Sequence, residues 1–206
     1  MGGVSKVTIV DYGMGNLWSV ASGLRYLGYE PQISEDPDRV VVSPVIVLPG
    51  VGSFRRAMQA LDGRGLSDAL REAVCERGAK MLGVCLGMQL LAESGSEDGL
   101  SAGLGLIPGQ VDRFQERGIK VPHIGFNSVR HESGSRLFSG LCSPADFYFV
   151  HSYRLCDTSG PGLYARTDHG VEFVAAYEHE NVFGTQFHPE KSQTNGLRVL
   201  LNFLNA

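Results

Sequence analysis

The sequence predicts an α/β fold, with a mixed, mainly parallel central sheet and helices on both faces. Three observations carry this expectation. In the first half, short apolar runs alternate with segments whose apolar residues recur every three or four positions, the βαβα order of a helix-covered parallel sheet. Those runs are continuous instead of alternating, as strands buried on both faces are. In the second half, short β-rich segments are punctuated by Gly, Asp, Asn and Pro, and read as mixed or antiparallel strands added to the same sheet. The chain has 206 residues, 43% of them hydrophobic, which suits one domain spanning residues 1–206.

The elements follow in order. Val7–Val10 is the first strand, and Asp11-Tyr12-Gly13-Met14-Gly15-Asn16 a glycine-rich loop after it. Leu17, Val20, Leu24 and Leu27 lie at helical spacing, with Gly28 as the stop signal. Pro31–Ser34 and Val45–Leu48 are the next two strands. Ser53 is placed to cap a helix that carries Phe54, Met58 and Leu61 on one face. Leu66, Leu70 and Val74 mark a further helical stripe, and Met81–Val84 is a strand. Glu93–Leu104 reads as a surface loop. Phe147–Val150, Phe173–Tyr177 and Val182–Gln186 are the β-rich segments, and Leu197, Leu200, Leu201 and Leu204 form the stripe of a closing helix.

Composition excludes several classes. A net charge of −4 argues against a general nucleic-acid or anionic-membrane binder. No apolar run is long enough to span a membrane. The N-terminus lacks a signal-peptide pattern, and Met1-Gly2 is followed by Lys6 where a myristoylation signal needs Ser or Thr. Cys75, Cys85, Cys142 and Cys156 include no C-x-x-C pair, so neither a metal site nor a disulfide scaffold is expected. A reducing, cytoplasmic setting fits them, and Cys75, Cys142 and Cys156 read as small buried hydrophobes.

Cys85 is different. In Gly83-Val84-Cys85-Leu86-Gly87-Met88-Gln89 it stands between glycines at −2 and +2, after an apolar strand and before a helical pattern. This is the layout of a nucleophile elbow, where bulkier neighbours would clash and the side chain is expected to be exposed. Such a cysteine attacks carbonyl carbon and needs a base. Among six histidines, His188 has the best company, in Gln186-Phe187-His188-Pro189-Glu190. In an extended segment His188 and Glu190 point to the same side, so the carboxylate can orient the imidazole, giving a Cys-His-acid triad. Acyl transfer also needs an oxyanion hole. Pro49-Gly50-Val51-Gly52 follows a predicted strand and would lie at the same carboxyl edge as the elbow. Gly50, Val51 and Gly52, with the N–H of Leu86, are the candidate donors. Gly13 and Gly15 lack the third glycine of a dinucleotide fingerprint, and no cofactor is expected.

With these motifs in place, the chain resembles the triad-type, class I glutamine amidotransferases, and among them the glutaminase subunits of imidazole glycerol phosphate synthases. Pro49-Gly50-Val51-Gly52, the Cys85 elbow, Tyr148-Phe149-Val150-His151-Ser152-Tyr153 and Phe187-His188-Pro189-Glu190 carry the resemblance, which covers essentially the whole chain. It implies a flavodoxin-like fold and hydrolysis of L-glutamine to glutamate and ammonia. It assigns Gln89, Ser152 and Tyr153 to the glutamine pocket. It also implies a heterodimer with a TIM-barrel cyclase, with Met14, Asn16, Phe126, Tyr148 and Lys191 at or near that interface. One position departs: Phe126 stands where the family usually has Trp. That change also suits a paralogous subunit feeding ammonia to a synthase that modifies cell-surface sugars. A related cysteine hydrolase is the third reading.

Overall fold

The structure is a computed structural model that describes residues 6–116, 118–156 and 160–206. The segment 1–5, with Gly2, lies outside the described residues, as do residues 117 and 157–159. The chain runs β1 (Val7–Val10), α1 (Leu17–Tyr26), β2 (Gln32–Ser34), α2 (Pro37–Val41), β3 (Val45–Gly50), α3 (Phe54–Gly63), α4 (Leu66–Arg71) and β4 (Lys80–Cys85). A π-helical turn, Glu72–Glu76, extends α4. Then come α5 (Leu86–Leu90), β5 (Ala92–Gly95), β6 (Ser101–Ala102), β7 (Ile107–Arg113), β8 (His123–Val129), β9 (Ala145–His151) and β10 (Tyr153–Leu155). Finally β11 (Leu163–Asp168), β12 (Glu172–His179) and β13 (Val182–Thr185) precede α6 (Gln193–Asn205).

The main sheet has the order β11-β12-β13-β4-β3-β1-β2. From β2 to β13 every pairing is parallel, and β12 and β11 extend that edge antiparallel. Strand alternation sorts the core into two layers. Ile46, Leu48 and Met81 join the layer of α3, α4 and α5, while Val45, Val47 and Leu82 join that of α1 and α6. The caps are those the sequence signals: the Ser53 hydroxyl accepts the Arg56 N–H, and Gly28 turns the chain at φ +87° after α1.

Four expectations are corrected. Phe147–Val150 does not join the main sheet: among the described residues β9 pairs with β8 alone, in a hairpin whose buried Phe147 and Phe149 pack on Phe187. Glu93–Leu104 is no plain loop, because β5 and β6 build a second sheet, β10-β7-β5-β6. The buried stripe of α6 is Gly196, Val199, Leu200, Phe203 and Leu204, with Leu197 and Leu201 only half-buried, since Phe203 occupies the core beside Phe183. Cys75, Cys142 and Cys156 are exposed, Cys75 on the π-helical turn, Cys142 in the connection between β8 and β9, and Cys156 just after β10.

Candidate active site

The elbow is built by close packing of backbone on backbone. Cys85 ends β4 at φ +55°, ψ −110°, and α5 begins at the next residue. A non-glycine residue at positive φ there stores on the order of 1–3 kcal/mol of strain. The flanking glycines have steric reasons. A Cβ on Gly87 would lie 1.8 Å from the Leu48 carbonyl oxygen, and one on Gly83 would lie 2.7 Å from Met88 backbone atoms. Gly184 stands beside Gly83 in register, and a Cβ there would meet Met88 at 2.6 Å. The helix after Cys85 therefore sits directly on a glycine floor, which holds the strained residue in place.

Cys85 is not exposed as expected but 6% accessible. The β9–β10 segment covers it: the Sγ lies 3.8 Å from the Val150 carbonyl and 3.7 Å from Gln186 Nε2. It still reaches a cleft of about 310 Å³, lined also by Val51, Gly52, Leu86, Gln89, Ser152, Tyr153, His188 and Lys191.

His188 and Glu190 meet by a different route from strand alternation. His188 is extended, its N–H donating to the Tyr148 carbonyl at 2.9 Å, but Pro189–Lys191 is a 3-10 turn. The turn brings Glu190 Oε1 to 2.8 Å from His188 Nδ1, with both side chains almost wholly buried. Burial alone would push the His188 pKa down. The Cys85 thiol and the Glu190 carboxylate outweigh it and raise the pKa to about 9. Nε2 makes no well-aligned hydrogen bond, so it is the free nitrogen beside the sulfur.

Of the oxyanion candidates, Val51 and Gly52 line the cleft and Gly50 does not. Gly50 is buried against Tyr12, Leu86 and Gly87, where a Cβ would fall within 2.9 Å of each, so its lack of side chain serves packing. The Tyr12 hydroxyl donates to the Pro49 carbonyl at 3.0 Å and ties the loop to the core. Burial and the nearby Cys85 push the Tyr12 phenol well above its ordinary range.

Of the expected partner-contact residues, only Lys191 reaches the cleft. Phe126 is 53% exposed and meets Tyr148 edge to face at 5.6 Å. Met14 packs beside Gly52, where a Cβ would lie 2.7 Å from its methyl group. Asn16 precedes α1 without a side-chain cap bond.

Sequence reasoning missed several cleft residues. Glu97 lines it and accepts the Phe54 N–H at 2.9 Å; burial raises its pKa. Pro122, Val150 and His151 line it too. Gln186, buried behind the cleft, touches both Cys85 and Gln89. A polar residue inside an otherwise apolar strand end was its one signal. A larger groove of about 870 Å³, beside His131, Arg136 and Asn202, contains none of the candidate site residues.

The chain matches the family model described as Glutamine amidotransferase class-I over residues 8–206. It is 48% identical over 197 residues to Imidazole glycerol phosphate synthase subunit HisH of Moorella thermoacetica, covering 96% of this chain and 93% of that protein. The same-named protein of Methanosarcina acetivorans is 43% identical over 203 residues, covering 98% of each. Among solved structures, a crystal structure of glutamine amidotransferase matches at TM-score 0.77 and 19% identity over 98% of each chain. The structure of PurLQS from Thermotoga maritima matches at TM-score 0.76 and 19% identity over 97% of each. At such identities these two likenesses bear on the fold alone.

Proposed function

This chain belongs to the class-I glutamine amidotransferases, and we infer from that premise that Cys85, His188 and Glu190 carry out its hydrolysis of L-glutamine. The observation that supports this most is the strained elbow at Cys85 beside a histidine whose other nitrogen is held by a buried carboxylate. His188 Nε2 takes the thiol proton, and the thiolate attacks the side-chain amide carbon of glutamine. Backbone N–H groups of Leu86 and the Val51-Gly52 segment hold the developing oxyanion; losing one such donor costs on the order of 3 kcal/mol. His188 returns the proton to the leaving nitrogen, and ammonia departs from a glutamyl thioester. The neutral His188 imidazole then deprotonates a water that cleaves the thioester to glutamate and returns that proton to the departing Cys85 sulfur, while Glu190 fixes the tautomer of His188 and supports its charged form. Gln89, Ser152 and Tyr153 hold the substrate's amino-acid end.

The chain is the glutaminase subunit of an imidazole glycerol phosphate synthase, in keeping with its relatives of that name, and acts with a synthase partner. Ammonia released into water is mostly protonated and no longer nucleophilic, so it must pass directly to the next active site. A TIM-barrel cyclase is the partner we propose, docked over the face that carries Met14, Asn16, Phe126, Tyr148 and Lys191. Exposed Phe126 and Ile124 on β8 support that placement. Cys85→Ala tests the reading in the assembled enzyme: glutamine-dependent synthesis should vanish and ammonia-dependent synthesis should persist. Normal glutamine turnover by the variant would remove Cys85 as the nucleophile.

A further inference from the structure

We propose that Gln186 is a positioning residue of this reaction, orienting the Gln89 amide and presenting an N–H to the Cys85 sulfur. The proposal rests on Cys85 being the nucleophile. Its polarity follows from one fixed point, the Tyr153 carbonyl, which can only accept. Gln89 Nε2 donates to it at 2.9 Å, so the Gln89 amide nitrogen faces inward. The second N–H of the same nitrogen donates to Gln186 Oε1 at 3.0 Å. The Gln186 oxygen is thereby turned to Gln89, and its nitrogen to the sulfur, 3.7 Å away. No other arrangement of the two amides satisfies all three contacts.

Two consequences follow. First, Gln89 has spent both N–H groups, so Oε1 is the atom it offers the cleft, an acceptor suited to a substrate ammonium. Second, the sulfur faces two opposed groups. The Val150 carbonyl, 3.8 Å away, accepts from the thiol, whereas the Gln186 N–H donates to the thiolate. A donor aimed at a buried anion strengthens with charge. Gln186 therefore favours the form that attacks, and does so from a side chain only 1% exposed.

The test uses Gln186→Met, close in volume but without an N–H, and Gln186→Glu, close in shape but with an acceptor facing the sulfur. Iodoacetamide alkylation of Cys85 is followed by mass spectrometry of its peptide, which separates it from the exposed cysteines. In Gln186→Met the rate at pH 7 should fall about tenfold, the size of one hydrogen bond to a charged group. At pH 10, where the higher pH itself favours thiolate, the gap between variant and parent should narrow to within twofold. In the assembled enzyme KM for glutamine should rise several-fold, because Gln89 is then held by the Tyr153 bond alone. Gln186→Glu should alkylate more slowly still at pH 7, and it carries the test if the Met variant does not fold. Equal slowing at both pH values, or unchanged rates and unchanged KM, would overturn the proposal. Failure of the underlying reading would show separately, as glutamine turnover by Cys85→Ala.

Discussion

Lowering the pH should destabilise this protein through His151. His151 Nδ1 lies 2.8 Å from the Tyr153 carbonyl, so that nitrogen carries the hydrogen. Its Nε2 is then an acceptor, and receives the N–H of His123 Nδ1 at 3.0 Å. His123 Nε2 in turn accepts from Asn127, whose other amide hydrogen goes to the Asp168 carbonyl. The chain is complete with both imidazoles neutral, and one added proton would set N–H against N–H. His169 stacks on His123 at 4.1 Å, and His188 also bears on His151. Burial chiefly, with opposition from those neighbouring imidazoles, lowers the His151 pKa to about 3 despite the Tyr153 bond. His123 is lowered to about 4, again mainly by burial. The unfolded chain, with histidine near 6.5, binds more protons than the folded one between these values, so stability rises with pH there. It is lost as pH falls from about 6.5 toward 3. At pH 4.5 the loss from His151 alone is about 2–3 kcal/mol, two units at 1.36 kcal/mol each. Urea unfolding at pH 7.5 and 4.5 checks this with His151→Gln, which cannot titrate. The parent should lose about 2–3 kcal/mol more than the variant between the two pH values. Equal losses would refute the neutral-chain argument.

Other perturbations have equally direct outcomes. Gly87→Ala places a methyl group 1.8 Å from the Leu48 oxygen, so α5 must lift from β3; the thermal midpoint should fall by an amount equivalent to ~3 kcal/mol, with at least a tenfold loss of glutaminase rate. Tyr12→Phe leaves the Pro49 carbonyl without its donor and should cost about 1–2 kcal/mol in urea unfolding, without changing the cleft's own side chains.

The parallel half of the fold was legible because its signals are local. β1, β3 and β4 are continuous β-branched or apolar runs, and the pair Gly83 and Gly87 announces the elbow from sequence spacing alone. The hairpin β8–β9 and the second sheet were not legible, because their strands pair with each other across segments that no periodicity links. α2 was missed although Asp36 caps it and Pro37 opens it, since five residues give no helical stripe to read. At the site, Cys85, His188 and Glu190, the proposed nucleophile, base and acid, have distinctive neighbours in sequence. Gln186 and His151 lie inside the same motifs, but which atoms they face is decided only where separate segments converge, and Glu97 has no distinctive neighbours at all. The exposure expected for Cys85 failed for the same reason: the covering strand lies 65 residues away in sequence.

His188 and His151 show why burial by itself does not set the pKa of an imidazole. Both line the same cleft, both are nearly inaccessible, and burial lowers the pKa of each. They nevertheless move apart, one to about 9 and the other to about 3. The difference is the partner: a carboxylate and a thiol that can carry charge for His188, a carbonyl and a neutral imidazole for His151. The stability contributions consequently have opposite signs. His188 binds a proton more tightly folded than unfolded, so its contribution is complete below about pH 6.5 and is lost as pH rises through about 9. Removing the carboxylate charge with Glu190→Gln should shrink that alkaline loss and leave the acid-side loss from His151 intact, measured by urea unfolding at pH 4.5, 6, 7.5 and 9. If the alkaline loss survives in the variant, Glu190 is not what holds the His188 proton, and the thiol alone must carry that part.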